Sequence, residues 1–163
     1  MLSIRPKWCE KIANGKKTIE VRKTKPKLET PFKCYIYCTL PKYPHEDFIV
    51  TDYPRPQFYG GGKVIGEFTC ERIALIAYDG GELSSTTNAA FSPATCLTQS
   101  EIIAYIGDKG RCYGWHMSNL RIYDTPRELS EFTGLRNTRF GAEPYDIKRP
   151  PQSWCYVEAM KDD

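Results

Sequence analysis

The sequence of 163 residues lacks any apolar run close to the roughly 18 residues that a membrane-spanning helix needs. Its N-terminus also lacks the apolar core of a secretory signal, because Arg5, Lys7 and Glu10 interrupt it early. It has no internal repeat, no dinucleotide fingerprint and no phosphate-binding loop. These absences predict a cytoplasmic protein with no membrane partner, and they exclude the common nucleotide-binding motifs.

Metal-binding patterns are also scarce. The chain has only two histidines, and its seven cysteines, an odd number without a signal sequence, argue against a secreted disulfide framework. Cys34 and Cys38 lie in a β-like run, where alternation puts both sulfurs on one face but too far apart to chelate one ion easily. We therefore expect buried free thiols, no metal site and no cofactor.

Acidic residues are few in the N-terminal part of the chain. Residues 1–33 hold ten Lys and Arg against three Glu, which gives +7, whereas the whole chain carries +3 and the remainder therefore −4. This uneven charge indicates a basic face, which favours RNA, single-stranded nucleic acid or a nucleotide as the partner. A solvated lysine-rich hairpin is the alternative explanation of the same cluster.

Within this basic part, residues 15–22 read Gly-Lys-Lys-Thr-Ile-Glu-Val-Arg. A glycine before a strand suits the end of a helix. A strand over 18–24 would direct Thr18, Glu20 and Arg22 to one face and the apolar pair to the other. The charged cluster would then lie where a helix ends and a strand begins, which suits a polar ligand. A solvated strand edge with a surface ion pair fits the spacing equally well.

The spacing Gly15-x-Lys17-x-x-Glu20-x-Arg22 resembles the signature of the ASCH domain, a small β-barrel fold related to PUA domains. The flanking segments resemble those of ASCH proteins common in bacterial and phage genomes, and they cover residues 1–4, 6–14, 62–68 and 149–158. The likeness therefore extends over nearly the whole chain.

The resemblance implies one domain over residues 1–163, with loop insertions near 40–62 and 79–97. The implied fold is α+β: a largely closed, PUA-like β-barrel of five to six strands with two main helices. Local signals agree, because Thr98 and Glu101 form a capping-box pattern at the start of the second helix. Residues 133–149 look irregular.

Two classes of function stay open. The first is an RNA- or nucleotide-binding module with a basic cleft lined by the motif, between the first helix and the barrel. The second is a small hydrolase, because some ASCH proteins are amidohydrolases of N-acylated cytidine with a Lys–Thr–Glu set. Other ASCH proteins resemble single-strand ribonucleases that use a lysine, a tyrosine and a hydroxyl. Glu20 stands where the amidohydrolase has its nucleophilic threonine, so binding is favoured over catalysis.

Lys17 and Glu20 are the candidate catalytic residues. Lys17 lies among like charges, and partial burial would lower its pKa towards that of a general base, although it could equally attract phosphate without chemistry. His116, in an aromatic run, is more simply a structural histidine than an acid–base group. No metal ligand is predicted, and the candidate ligand-binding residues are Gly15, Lys16, Lys17, Thr18, Glu20, Arg22, Tyr59 and Ser153.

Overall fold

A computed structural model describes residues 1–43, 48–51 and 57–160. The parts of the predicted 40–62 insertion at 44–47 and 52–56 lie outside the described residues. The two predicted helices are α1 (Pro6–Ala13) and α2 (Gln99–Ile106). The described strands are β1 (Leu2–Ile4), β2 (Ile19–Arg22), β3 (Phe32–Cys38), β4 (Phe48–Ile49), β5 (Phe58–Tyr59), β6 (Lys63–Asp79), β7 (Glu82–Ser85), β8 (Arg111–Glu128), β9 (Thr133–Thr138), β10 (Gly141–Asp146) and β11 (Tyr156–Val157). Short 3-10 helices span Asn88–Phe91, Pro93–Thr95, Gly107–Lys109 and Leu129–Glu131.

The chain groups into two compact units. The first unit comprises Met1–Ala13, Lys33–Phe68 and Leu120–Asp163. The second unit comprises Asn14–Phe32 and Thr69–Asn119. The single domain expected over 1–163 stays a prediction.

The fold is mixed α+β, as predicted, but its main sheet is open, so the predicted closure into a β-barrel is wrong. The strands pair in the order β1-β3-β6-β8-β2, and β7 also pairs with β6. The outer edge of β1 is covered by the C-terminal segment, since Ser3 N donates to Ser153 O at 2.9 Å. Just before β2, Thr18 N donates to Ala94 O at 3.0 Å. In this strand order β1 and β2 are at the two ends and are not paired with each other, so the sheet stays open.

The first unit contains a parallel pair and a separate antiparallel sheet. Leu2 of β1 lies opposite Ile36 of β3, and β9 pairs with both β10 and β11. The rings of Tyr35 and Phe132 pack edge to face, with centroids 5.0 Å apart. Most of the segment 133–149 is therefore a regular hairpin, and the expectation that it is irregular is wrong.

The second unit is built on the antiparallel pair of β2 and β8, in which Ile19 lies opposite His116 and Arg22 opposite Tyr113. The predicted capping box of α2 is confirmed, because Glu101 N donates to Thr98 Oγ1 at 3.2 Å and Thr98 N donates to Glu101 Oε2 at 2.7 Å. The core of this unit is formed by Ile19, Val21, Ala74, Ile76, Ala89, Ala90, Ile102, Ile106 and Cys112.

The cysteines are free thiols, and five of the seven are buried, in agreement with the sequence. No helix among the described residues has the length and apolar character to cross a membrane.

Gly66 marks a close approach between two backbones in the first unit. A Cβ atom at this position would lie 2.4 Å from the carbonyl oxygen of Arg121 and 3.1 Å from the Cα of Ile122. Backbone atoms cannot yield as a flexible side chain can, so any side chain here would force the strands apart.

We expect Gly66→Ala to lower the free energy of unfolding by about 3 kcal/mol, the upper end of the range for overpacking substitutions, because the Cβ would meet backbone atoms. Chemical denaturation measures the loss. The control is Gly80→Ala, where the Cβ would meet nothing within 4 Å and the left-handed backbone should cost only about 1–2 kcal/mol. A Gly66→Ala loss no greater than the control's would contradict the close approach.

Candidate functional site

The motif forms a corner followed by a short strand. Gly15 has φ of 69°, in the left-handed region that favours glycine, and β2 begins four residues later. Lys16 and Thr18 are exposed, whereas Lys17 and Glu20 are only 2% and 3% exposed. Lys17 and Glu20 therefore belong neither to a solvated edge nor to a surface ion pair.

Lys17, Glu20 and Arg22 form one buried network. Lys17 Nζ donates to Ile19 O at 3.0 Å and to Thr95 O at 2.5 Å, and it lies 3.4 Å from Glu20 Oε2. The other carboxylate oxygen, Glu20 Oε1, accepts from Arg22 Nη1 at 2.5 Å. The ammonium group thus donates to two backbone carbonyls and forms an ion pair with the Glu20 carboxylate. The network therefore joins β2 to the 3-10 helix Pro93–Thr95.

Burial lowers the pKa of Lys17 below its ordinary value, and the Glu20 carboxylate opposes that shift. The direction agrees with the sequence-based expectation. The amine nevertheless points at two backbone carbonyls, whereas a general base must reach the proton that it removes from a substrate. The catalytic roles of Lys17 and Glu20 stay predictions, and the contacts of both residues are those of a structural cross-link.

Immediately beyond Arg22, the chain lines a cavity of about 410 Å³, which we call the basic cavity. Lys25 Nζ lies 5.7 Å from the centroid of the Tyr113 ring, within the range of a cation–π contact. No carboxylate is among the described residues that line the cavity. The lining residues are Lys23, Thr24, Lys25, Lys109, Arg111 and Tyr113.

None of the residues that line the basic cavity is among the predicted site residues, and Lys23 and Lys25 contribute to the prediction only through the positive charge of residues 1–33. Lys109, Arg111 and Tyr113 are far from the motif along the chain, and only the antiparallel pairing of β2 with β8 brings them together. The signal available in the sequence was the pair of cations around Gly110, directly before a strand rich in aromatic residues.

A second cavity, of about 300 Å³, lies at the other end of the pairing between β2 and β8. We call it the histidine cavity, because His116 lines it together with Thr18, Arg72, Thr87 and Ser92. Of the predicted site residues, Thr18 alone is among those that line it.

The remaining predicted site residues lie in the first unit, whereas the motif lies in the second. Tyr59 is exposed, and its ring packs edge to face against Phe48, with centroids 6.0 Å apart. The carbonyl oxygen of Ser153 accepts a hydrogen bond from Ser3 N in β1. Their roles in ligand binding stay predictions. Among the described residues, no group of three His, Cys, Asp or Glu side chains could hold a metal ion.

We expect Lys17→Met to lower the free energy of unfolding by about 3 kcal/mol, because removal of one partner leaves the other charges of a buried network uncompensated. Glu20→Gln should cost a similar amount, since it leaves Lys17 and Arg22 facing the same uncharged amide. The double variant should lose less than the sum of the two single losses. Urea denaturation of the four proteins measures this coupling.

The matched control is the ion pair between Arg136 and Glu143, whose side chains are 65% and 43% exposed. Arg136→Gln should change the free energy of unfolding by less than about 1 kcal/mol, because solvent screens an exposed pair. Strictly additive losses at Lys17 and Glu20, or losses as small as that of the control, would contradict the buried network.

Comparison with solved structures identifies the fold of the chain. No protein-family model matches the chain, and no curated protein matches it. The crystal structure of ASCH from Zymomonas mobilis matches with a TM-score of 0.58 and 17% sequence identity, over 98% of this chain and 85% of that chain.

Two mutant structures of the Zymomonas protein also match. One carries a tyrosine-to-phenylalanine substitution and gives a TM-score of 0.58 at 17% identity, over 98% of this chain and 88% of that one. The other carries a serine-to-alanine substitution and gives 0.61 at 18% identity, over 96% and 86%. At such low identity the likeness establishes the fold alone. The chain therefore has the fold of ASCH proteins, which confirms the resemblance predicted from its residues.

Proposed function

We propose that the protein binds single-stranded RNA or a phosphorylated nucleotide in the basic cavity. The observation that carries this proposal is the convergence of four cations, Lys23, Lys25, Lys109 and Arg111, from two distant segments on one cavity. Like charges held together repel one another, and a bound phosphate chain offsets that repulsion while its counterions are released.

The chemistry of the lining suits a phosphate ligand that carries a base. Lysine and arginine donate charge-assisted hydrogen bonds to phosphate oxygens, and arginine can do so through two N–H groups at once. Tyr113 supplies an aromatic face of the kind on which bases stack without regard to sequence. The cavity therefore favours a backbone-directed and weakly sequence-dependent mode of binding.

The motif contributes to this function indirectly. The buried network of Lys17, Glu20 and Arg22 fixes β2, and Lys23 and Lys25 follow that strand directly. The ASCH fold is compatible with the proposal but does not carry it, because one fold can serve many functions.

The hydrolase alternative stays a prediction. Turnover of an N-acylated cytidine or cleavage of single-stranded RNA by Lys17 and Glu20 would require both side chains to reach a substrate. Their exposed fractions are 2% and 3%, and no observation favours that route over binding.

Salt dependence tests the proposal. Binding of a short fluorescein-labelled single-stranded RNA, followed by fluorescence anisotropy, should weaken steeply as KCl is raised. Four phosphate contacts correspond to a slope of log K against log salt of about −3. Lys109→Gln/Arg111→Gln removes two of these contacts and should reduce the slope to about half of that value.

Lys148→Gln is the matched control, because it removes an exposed cation that does not line the cavity. It should leave both the affinity and the slope nearly unchanged. RNA binding that is undetectable at low salt, or a Lys109→Gln/Arg111→Gln slope equal to that of the control, would rule out the basic cavity as the RNA site.

A further inference from the structure

The histidine cavity carries acid–base chemistry that RNA binding in the basic cavity does not use. His116 Nε2 lies 3.3 Å from Thr87 Oγ1, within hydrogen-bond reach. Thr87 Oγ1 also accepts a hydrogen bond from Ala89 N at 3.2 Å. The hydroxyl is therefore held between a backbone donor and the imidazole, at the wall of an open cavity.

Other side chains of this cavity suit an anionic ligand. Arg72 is exposed and lines the cavity from β6. The Ser92 hydroxyl accepts from Ala94 N at 3.2 Å, which leaves its own hydrogen available to turn towards a ligand. Thr18 adds an exposed hydroxyl from the corner before β2. A guanidinium surrounded by hydroxyl groups is a common setting for a phosphate or carboxylate.

We propose that the histidine cavity binds the phosphate group of a small phosphorylated molecule, with Arg72 as the pairing cation and the His116–Thr87 pair as a proton-coupled donor. The volume of about 300 Å³ is at the lower end of the range for small-molecule sites, which a phosphate monoester with a small organic group suits better than a longer chain. This site is separate from the basic cavity and does not depend on the function proposed for it.

The donor role follows from the protonation of His116. Burial, with a further contribution from the Arg72 charge, lowers the pKa of His116 below its ordinary value of 6.5, so the neutral imidazole is the main form without ligand at pH 7. Among the described residues that line the cavity, Arg72 is the one charged side chain; Thr18 before β2 and Thr87, Asn88 and Ser92 from the 3-10 segments are uncharged.

A bound dianion would favour the imidazolium. His116 Nε2–H then donates to Thr87 Oγ1, and the Thr87 hydroxyl hydrogen turns towards the phosphate oxygen. Binding is thereby linked to uptake of one proton, so the ligand raises the pKa of His116, and affinity increases as the pH falls through that pKa.

The imidazole proton signals of His116 provide the test, because the chain has only one other histidine, His45, and a His45→Asn variant assigns them. Sulfate is the first probe, since it remains a dianion throughout the titration of histidine. At constant ionic strength, saturating sulfate in place of chloride should raise the pKa of His116 by about one unit, a shift typical of a nearby opposite charge. Arg72→Gln should abolish the response, and Thr87→Val should reduce it.

The second probe is ribose 5-phosphate at pH 7, where a phosphate monoester is mainly dianionic. We expect it to shift the His116 signals at a concentration about tenfold lower than sulfate does, a gain of roughly 1.4 kcal/mol. An unchanged response in Arg72→Gln, or ribose 5-phosphate no more effective than sulfate, would overturn the proposal.

A further variant separates this site from the proposed RNA site. Lys109→Gln/Arg111→Gln should retain the full response of His116 to both probes while it loses salt-dependent binding of RNA. If the substitution instead removed the response of His116, the anion would act from the basic cavity, and the histidine cavity would not be a site of its own.

Discussion

The buried ammonium of Lys17 is the interaction on which the organisation of the second unit depends. It donates to Ile19 O and Thr95 O and forms an ion pair with the Glu20 carboxylate, so a single side chain joins the start of β2 to a 3-10 helix far along the sequence. Burial of this charge is tolerable because the acceptors replace the lost water. These same two segments contribute Thr18, Ile19 and Ala94 to the lining of the histidine cavity, and the basic cavity begins where β2 ends.

The sequence predicted the elements whose signals are local. The capping box at Thr98 and Glu101 and the glycine after α1 are patterns over a few residues, and both are present in the structure. The burial of Lys17 was not predictable, because an alternation of charged and apolar residues indicates a half-solvated strand. Lys17 is buried because the segment around Thr95 covers it. The hydrogen bond from Lys17 Nζ to Thr95 O joins two positions that are far apart in the sequence, so no local pattern could indicate it.

Two features of the fold depended on long-range pairing in the same way. Closure of the sheet into a barrel was inferred from resemblance, but the edge of β1 is covered by the segment around Ser153, not by another strand of the main sheet. The hairpin of β9 and β10 is largely polar, so it lacks the alternation that identifies a strand in sequence, and its pairing with β11 supplies the missing constraint. The cations at 109 and 111 join the basic cavity for the same reason.

The pairing of β2 with β8 also determines how far the two cavities influence each other. Ile19 opposite His116 marks one end of the ladder and Arg22 opposite Tyr113 the other, and three residues of strand span about 10 Å. That length is about one Debye length at 0.1 M salt, so above this salt concentration the exposed cations of the basic cavity should act on the histidine cavity only weakly. In the functions proposed above, one cavity offers fixed positive charge to a chain of phosphates, and the other offers a titratable donor to a single anion. Their responses to salt and to pH should therefore be separable, although one short strand supports both.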